Sequence, residues 1–424
     1  MTSEITTYDA DVIVVGGGPA GSIAGMTLVA RGVSTVLLDK KLFPRDKPCG
    51  GGIRYGVYRR FPELADYLER SVPIHEITKV FMEAPSGASV LATLEQPLYL
   101  TFRRIDFDAA LLARARKAGV QVLEGARVVE IERGEAGVTV GCADGRRLTA
   151  RALVGADGVN SIVARAAGLT RGFTNAELAI DTMEETPLEE LRVTDTDAMY
   201  VAYGYNGWPG YGYVFPKRGC VDFGVGFLLP FFKETLGGSP YVHHARFLEE
   251  MSAKGIVRGR SNPDNFKAYR LPLCGPLART VADRVVICGD AGGFVNAYTG
   301  EGIYYAMVTG QHAGETLAGA LKDGDLSARR LEAYETHWRQ EIGEELSDAV
   351  RIQRRIFANP SLVDRIIRAA AIDDRLCRLF ARVALGEESL RRRKVEMTWR
   401  FLLAVLRARL SAWSVRRPRG RRRP

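Results

Sequence analysis

Two apolar runs in this chain are each followed by glycines and then by a helical pattern. Residues 11–15 (Asp-Val-Ile-Val-Val) are almost continuously apolar, which is typical of a buried parallel strand. Glycines follow, and a helical pattern then continues to Ala30 before a second apolar run at residues 34–38. Residues 285–288 begin the same order, with glycines and then a helical pattern over residues 302–321. The two stretches predict strand–turn–helix units of an α/β sheet.

The first unit carries a nucleotide-binding pattern. Gly16, Gly18 and Gly21 follow the strand with the spacing Gly-x-Gly-x-x-Gly, and Asp39 ends the next strand. At this spacing the first glycine permits a tight turn, the second lets backbone approach a pyrophosphate, and the third allows close helix–strand packing. The acid at the end of the second strand binds ribose hydroxyls. The pattern therefore predicts a dinucleotide site.

The remaining pattern divides the chain into three parts of an α/β protein. Residues 77–100 and 176–270 alternate like strands of an antiparallel sheet, and we predict that they form an inserted α+β substrate domain. A Rossmann-like nucleotide-binding domain is then assembled from residues 1–76, 101–175 and 271–325. Residues 326–424 have helical periodicity and form a helical C-terminal region.

Composition narrows the class of protein. The 424 residues are 46% hydrophobic and contain no apolar run near the roughly 18 residues of a transmembrane helix. The first residues include acids and no basic segment, so we expect no signal peptide. The six cysteines show no metal-ligand spacing, which favours a reduced cytoplasmic protein without a metal site.

Most of the positive charge lies at the end of the chain. The net charge is +9, yet residues 391–424 hold thirteen Arg or Lys and one acid, so the rest is slightly acidic and we expect no nucleic-acid partner. The last helical pattern places five apolar residues on one face: Trp399, Leu402, Leu406, Leu410 and Trp413. Followed by the arginines between Arg416 and Arg423, this face predicts peripheral attachment to an anionic membrane surface. The alternative is a helix packed on the body with a disordered tail.

Three further features indicate a flat or apolar ligand. Residues 49–52 (Cys-Gly-Gly-Gly) predict backbone that passes tightly beside a flat ligand, with a flexible surface loop as the alternative. Residues 200–227 are rich in aromatic side chains, which suit a large apolar ligand or a plain sheet core. Asp290 precedes a helix that opens at Gly302, and a helix N-terminus favours negative charge such as that of a reduced flavin.

Three separated pieces form one constellation: residues 16–39, residues 156–158 (Ala-Asp-Gly) and residues 289–290 (Gly-Asp). They resemble the FAD-binding fold of para-hydroxybenzoate-hydroxylase-like flavoproteins. Within that group the chain is similar to the geranylgeranyl reductase family over residues 10–325. The motifs are residues 47–51 (Lys-Pro-Cys-Gly-Gly), 104–111 (Arg-x-x-Phe-Asp-x-x-Leu), 209–216 (Pro-Gly-Tyr-Gly-Tyr-Val-Phe-Pro) and 299–303 (Thr-Gly-Glu-Gly-Ile). Tyr213 stands where the family usually has tryptophan.

The resemblance implies the ligand contacts residue by residue. Besides the three glycines of the nucleotide-binding pattern, which we call the fingerprint glycines (Gly16, Gly18 and Gly21), the expected FAD contacts are Ala20, Asp39, Cys49, Gly50, Gly52, Arg104, Val128, Asp290, Gly302 and Ile303. Tyr211, Tyr213 and Phe215 would line the cavity where a prenyl chain meets the flavin. Cys49 and Tyr213 are the candidate proton donors.

The implied function is reduction of carbon–carbon double bonds in a polyprenyl lipid by hydride transfer from reduced FAD. An FAD-dependent monooxygenase or halogenase acting on an aromatic or terpenoid molecule is the first alternative, because the same fold hosts both. A membrane-docked flavin electron carrier is the second. No second Gly-x-Gly-x-x-Gly unit occurs, so the transient reductant is either NAD(P)H or a ferredoxin.

Overall fold

The computed structural model describes residues 8–415. In this part of the chain the strands are β1 (Ala10–Val15), β2 (Thr35–Leu38), β3 (Gly52–Arg54), β4 (His75–Ile77), β5 (Lys79–Glu83), β6 (Ser89–Thr93), β7 (Tyr99–Thr101), β8 (Gln121–Leu123), β9 (Val128–Arg133), β10 (Val138–Cys142), β11 (Arg147–Gly155), β12 (Leu178–Pro187), β13 (Leu191–Val193), β14 (Ala198–Tyr203), β15 (Gly210–Lys217), β16 (Cys220–Leu228), β17 (Val257–Gly259), β18 (Phe266–Pro272), β19 (Val281–Ala282) and β20 (Val285–Ile287).

The α-helices of the same part are α1 (Pro19–Val29), α2 (Val57–Arg60), α3 (Pro62–Ser71), α4 (Arg104–Lys117), α5 (Ile162–Ala166), α6 (Leu229–Phe231), α7 (Pro240–Ala253), α8 (Ile303–Asp323), α9 (Ala328–Trp338), α10 (Glu344–Phe357), α11 (Pro360–Ala370), α12 (Asp374–Ala384) and α13 (Leu390–Val415). A π-helical turn, Arg339–Gly343, joins α9 to α10. The predicted α/β fold with a Rossmann-like nucleotide-binding part and C-terminal helices is confirmed.

A parallel sheet positions the predicted nucleotide end. Its order is β19-β20-β11-β1-β2-β8, with β9 and β10 added as an antiparallel extension of β11. The continuous apolar run of β1 is buried on both faces, as a central parallel strand requires. Because β1, β2, β11 and β20 are parallel neighbours, their carboxyl ends share one edge. The fingerprint glycines, Asp39, Asp157 and Asp290 therefore meet at that edge.

Two glycines let α8 lie directly against α1. A Cβ atom on Gly310 would stand 2.3 Å from the carbonyl oxygen of Ala20, and one on Gly314 would stand 2.7 Å from Cβ of Thr27. Side chains at these positions would push the helices apart, so the small residues fix the distance between them. This packing places the first turns of α8 beside the start of α1, which follows the fingerprint glycines. Gly289, which follows β20, also donates its N–H to Thr309 Oγ1 of α8 at 3.1 Å.

The second sheet forms a wall opposite this edge. Its order is β18-β12-β16-β15-β14-β5-β6, and it is antiparallel except for the parallel pair of β5 and β14. One face packs on α7 through Phe223, Val225 and Phe247. The other face carries Tyr211 and Tyr213 toward the first sheet. A small sheet, β3-β7-β4, connects the glycine-rich loop (residues 49–52) to this wall.

The C-terminal helices cover the outer strands of the second sheet. Ile356 of α10, Ile367 of α11 and Leu385 after α12 form one apolar cluster with Met82 of β5 and Tyr203 of β14. None of the helices in the described residues is long and apolar enough to cross a membrane. The C-terminal helices and the second sheet enclose a cavity between them.

A buried arginine joins the nucleotide-binding part of the molecule to the C-terminal helices. Arg54, at the end of β3, donates its backbone N–H and its guanidinium to Glu301, at 3.1 Å and 2.7 Å. The same guanidinium bonds Glu345 of α10 at 2.8 Å and the carbonyl oxygen of Gly386 at 2.9 Å. Burial lowers the pKa of Arg54, but the two carboxylates outweigh it and raise the pKa, so the guanidinium stays charged.

Candidate functional site

Two of the fingerprint glycines, Gly16 and Gly21, lie where backbone leaves no room for a side chain. Gly16 has φ +109°, and a Cβ on it would stand 2.2 Å from the carbonyl oxygen of Ala156. A Cβ on Gly21 would stand 1.8 Å from the carbonyl oxygen of Gly16, so only glycine permits this helix–strand contact. Gly18 has open space around it, because the nearest atom to a Cβ there would be an Arg45 nitrogen at 3.6 Å. The open side of the loop lies at Gly18, where a phosphate would approach.

Two aspartates of the strand ends brace this edge. Asp39 accepts the N–H of Gly17 at 2.7 Å and the N–H of Lys41 at 2.8 Å. It therefore holds the fingerprint loop itself, a role that the sequence pattern does not reveal. Asp157 accepts the N–H of Ile162 at 2.7 Å and so caps the short helix α5.

Arg45 is a cation of this edge that the sequence analysis missed. Its guanidinium pairs with Asp108 at 2.9 Å and lies over the ring of Phe43, while Nη1 is buried and has no hydrogen-bond partner among the described residues. Asp108 also pairs with Arg104 at 2.7 Å. Burial lowers the pKa of Arg104, but the Asp108 carboxylate outweighs it and raises the pKa. The Arg45 guanidinium, whose Nη2 lies nearest to Gly18 and whose Nη1 is unpaired, suits the pyrophosphate of a dinucleotide.

Ten of the sequence-predicted residues line one cavity of about 120 Å³, which we call the inner cavity. They are Cys49, Gly50, Gly52, Arg104, Asp290, Gly302 and Ile303 on one side, and Tyr211, Tyr213 and Phe215 on the sheet wall. Gly16, Gly18, Ala20, Gly21 and Asp39 lie at the adjoining fingerprint loop instead. Val128 begins β9, in the antiparallel extension, close after Ala126, whose N–H bonds the carbonyl oxygen of Asp39.

The glycine-rich loop passes tightly between aromatic rings. A Cβ on Gly50 would stand 3.0 Å from the ring of Phe215, and a Cβ on Gly52 would stand 2.2 Å from the ring of Tyr99. Cys49 Sγ accepts the N–H of Gly51 at 3.4 Å. The loop is therefore held by its surroundings, and its glycines are required by close approach.

The sheet wall is shaped by two glycines that the sequence analysis did not single out. Gly224 and Gly226 of β16 lie opposite Tyr213 and Tyr211 of β15. Because Gly224 has no side chain, the Tyr213 ring lies across it and donates its hydroxyl to the carbonyl oxygen of Thr182 at 3.2 Å. Burial raises the pKa of Tyr213, so this hydroxyl keeps its proton. The sequence pattern that could have revealed these glycines is the alternation of aromatic residues in β15 with glycines at the paired positions of β16.

The N-terminus of α8 faces the same cavity. Gly300, Gly302 and Ile303 line it, and a Cβ on Gly302 would stand 3.3 Å from Oδ1 of Asp290. The free N–H groups of the first helical turn favour negative charge at this point. Lys47 lies 3.6 Å from Asp290 and adds a second positive charge.

A larger cavity of about 710 Å³, which we call the outer cavity, adjoins the inner one. It lies between the second sheet and the helices α10 to α13, and its apolar lining includes Met82, Ile356, Val363, Ile367, Met397 and Phe401. Tyr203 and Tyr298 line both cavities and stack on each other with ring centroids 5.2 Å apart. The sequence could not predict this cavity, because its walls come from distant segments.

Comparison with known proteins agrees with this geometry. The family model described as FAD binding domain matches residues 9–350. The chain is 30% identical over 358 residues to digeranylgeranylglycerophospholipid reductase 2 of Methanothermobacter thermautotrophicus, which covers 81% of this chain and 87% of the relative. The crystal structure of a geranylgeranyl bacteriochlorophyll reductase-like protein of Thermoplasma acidophilum superposes with a TM-score of 0.76 at 20% identity, covering 91% of this chain and 98% of that one.

A halogenase in complex with phloroglucinol and FAD has the same fold, with a TM-score of 0.65 at 16% identity, covering 89% of this chain and 83% of that chain. The fold and the site together define an FAD-dependent oxidoreductase. Within this class, the chain belongs to the geranylgeranyl reductase family. The residues present fit the cofactor, since an open Gly18, an unpaired Arg45 nitrogen and the inner cavity lie along one edge.

Replacement of Asp290 tests the cofactor end of the inner cavity. We expect Asp290→Ala to weaken FAD binding by roughly 1.5–3 kcal/mol, because a hydroxyl of the chain between flavin and pyrophosphate would lose its charged acceptor. That loss corresponds to a rise of about 10- to 150-fold in Kd, measured by fluorescence titration of apoprotein with FAD. The exposed Asp264 supplies the control, and Asp264→Ala should leave Kd unchanged. Equal Kd values for both variants would contradict the assignment.

Proposed function

We propose that this protein reduces carbon–carbon double bonds in the prenyl chains of a geranylgeranyl-type lipid, with FAD as its redox cofactor. The observation that carries the proposal is the pair of adjoining apolar cavities, because a long flexible chain needs more room than the inner cavity alone offers. The relatives named digeranylgeranylglycerophospholipid reductase support the same substrate class.

The residues that would hold FAD divide into two groups. At the fingerprint loop these are Gly16, Gly18, Ala20, Gly21 and Asp39, joined by Arg45 and, farther along the edge, Val128. Around the inner cavity they are Cys49, Gly50, Gly52, Arg104, Asp290, Gly302 and Ile303. Bound FAD supplies the hydride, and the first turn of α8 favours the negative charge that reduction creates.

The substrate side is formed by Tyr211, Tyr213 and Phe215. Tyr213 is 2% exposed, and its hydroxyl is already bonded inside the sheet, so the ring presents an apolar edge to the cavity. An alkene has no polar group to bind, so alignment depends on shape and on the exclusion of water. The stacked pair of Tyr203 and Tyr298 stands between the inner and outer cavities, where the chain of the lipid would have to pass.

Anaerobic reoxidation of the flavin tests this function. The protein is expected to bind one FAD, to be reduced by dithionite, and to be reoxidised by a prenyl lipid in detergent micelles without oxygen. Absorbance of oxidised flavin in a stopped-flow instrument measures the step, and a fully saturated lipid of the same length is the control. NAD(P)H and a reduced ferredoxin, tried in place of dithionite, distinguish the two proposed electron donors. Strict dependence on O₂, with a hydroxylated or halogenated product, would contradict the proposal in favour of a monooxygenase or halogenase.

We further propose that α13 docks on an anionic membrane surface. Its inner face packs through Met397 and Ala404 on α11 and α12. The opposite face leaves four predicted apolar residues 53–63% exposed: Trp399, Leu402, Leu406 and Leu410. The packed-helix alternative therefore describes only the inner face. The side chain of Trp413 and the arginines from Arg416 to Arg423 lie outside the described residues.

Charge identifies the surface that this apolar face would meet. Arg392 and Lys394 are exposed at the start of α13, and each basic residue near an anionic membrane contributes about 1 kcal/mol of attraction. A face of this length can lie in the interface without crossing the bilayer. The outer cavity is lined by residues of the same helix, so a membrane lipid would have a short path into the protein.

A flotation assay tests the docking surface. The variant carrying Trp399→Ser, Leu402→Ser and Leu406→Ser keeps the packed face of α13 and is expected to lose most of its binding to phosphatidylglycerol vesicles. The wild-type protein should float with phosphatidylglycerol vesicles and should dissociate from them at high salt. It should not bind phosphatidylcholine vesicles. The control replaces exposed apolar residues elsewhere, Leu42→Ser and Val242→Ser, and should float like the wild type. Equal flotation of all three proteins would contradict the proposal.

A further inference from the structure

Reduction of an alkene requires a proton as well as a hydride, and the inner cavity is lined by tyrosine, cysteine and carboxyl groups that differ in their ability to supply one. Cys49 and Tyr213 are the candidate proton donors predicted from the sequence. Tyr213 is a poor donor, because its hydroxyl donates to the carbonyl oxygen of Thr182 and its pKa is raised by burial. Tyr211 is likewise engaged, since its hydroxyl donates to the carbonyl oxygen of Thr299 at 3.1 Å.

The carboxyl groups of the inner cavity differ in their partners. Glu301 is bonded to Arg54, and Asp290 lies 3.6 Å from Lys47, so each faces a cation. Asp181 has no such neighbour: no ion pair joins it to a lysine, arginine or histidine of the described residues. Its Oδ1 is buried and has no hydrogen-bond partner in the part of the chain that the structure describes. Burial of a carboxyl oxygen without a cation or a donor beside it favours the protonated form.

The sheet places Asp181 in the row of residues that forms the wall of the inner cavity. Across four neighbouring strands this row reads Tyr269 of β18, Asp181 of β12, Gly226 of β16 and Tyr211 of β15. Asp181, Tyr211 and Tyr269 all line the cavity. Gly226 leaves room for the Asp181 carboxyl, since a Cβ there would stand 2.8 Å from Oδ1 of Asp181.

We propose that Asp181 is the acid that gives the proton to the second alkene carbon, an inference that rests on the proposed reduction of prenyl double bonds. The O–H bond of Asp181 breaks and a C–H bond forms on that carbon. The other carbon receives a hydride, with its two electrons, from reduced FAD. The substrate thus gains two hydrogens, and the Asp181 carboxylate regains its proton from solvent once the product has left.

The surroundings of Asp181 keep it protonated at neutral pH. Burial raises the pKa of the Asp181 carboxyl to about 8, and the Asp222 carboxylate on β16 adds to the rise. Tyr211 and Tyr213 on β15 and Tyr269 on β18 are its titratable neighbours on the sheet. Lys47, Cys49, Arg104, Asp290 and Glu301 are the titratable and charged groups that line the same cavity from the other elements. The donor form is therefore present below pH about 8 and is lost as the pH rises through that value.

Asp181→Asn tests the assignment in the FAD-loaded protein. We expect anaerobic reoxidation by a prenyl lipid to slow by about 10²- to 10⁴-fold, the usual range for loss of a general acid. Reduction by dithionite and the Kd for FAD should stay unchanged. The wild-type rate should fall above pH about 8, and this limb should be absent in Asp181→Asn. Asp181→Glu should recover part of the rate, because it restores an acid.

Infrared spectroscopy gives a measurement that does not depend on turnover. Wild-type protein with ¹³C-labelled aspartate should show a protonated carboxyl band at pH 7 that titrates away near pH 8 and is missing in Asp181→Asn. An Asp181 that is ionised at pH 7, or a variant that reoxidises at the wild-type rate, would overturn the inference. If Cys49→Ala lost reoxidation while Asp181→Asn reoxidised at the wild-type rate, the proton would be assigned to the Cys49 thiol instead. A wild type that the lipid cannot reoxidise would overturn the proposed function as well.

Discussion

The ion cluster of Arg54, Glu301 and Glu345 is the constraint on which the arrangement of the site depends. Loss of the Arg54 guanidinium would leave the buried Glu301 carboxylate uncompensated, at a cost of about 3–5 kcal/mol. Arg54 ends the strand that follows the glycine-rich loop, Glu301 precedes α8, and Glu345 belongs to the helical cover. The loop, the helix N-terminus and the cover are therefore held in one arrangement. The same contact ties the Glu301 carboxylate to Arg54 at the wall of the inner cavity, where its neighbours Gly300 and Gly302 also line the space.

The parts of this design that depend on neighbours in sequence were predictable. The apolar run of residues 11–15, the spacing of Gly16, Gly18 and Gly21, and Asp39 at the end of β2 report on local geometry, and the family resemblance added the residues around the inner cavity. Partners that lie far apart in sequence left no such signal. Glu301 and Glu345 are 247 and 291 residues from Arg54, and no periodicity connects them. Asp181 was missed for the same reason, since its meaning comes from strands that pair only in the fold.

The C-terminal helices show the same division. Their amphipathic pattern predicted an apolar face with Trp399 and Leu406, and that face is exposed in the structure. The pattern could not predict that Met397 and Ala404 pack on α11 and α12, or that the helices enclose a cavity against β5 and β14. Helical periodicity specifies which residues share a face, but only tertiary packing decides which face finds a partner. The outer cavity beneath α13 thus follows from packing that the sequence pattern does not specify.

Saturation of prenyl double bonds by the FAD-loaded protein is tested most directly by mass spectrometry of a digeranylgeranyl lipid after incubation with that protein and a reductant under anaerobic conditions. The proposed function predicts products heavier by two hydrogens for each double bond reduced, with no oxygen or halogen added. An unchanged lipid, or a product that has gained oxygen only when O₂ is admitted, would contradict it.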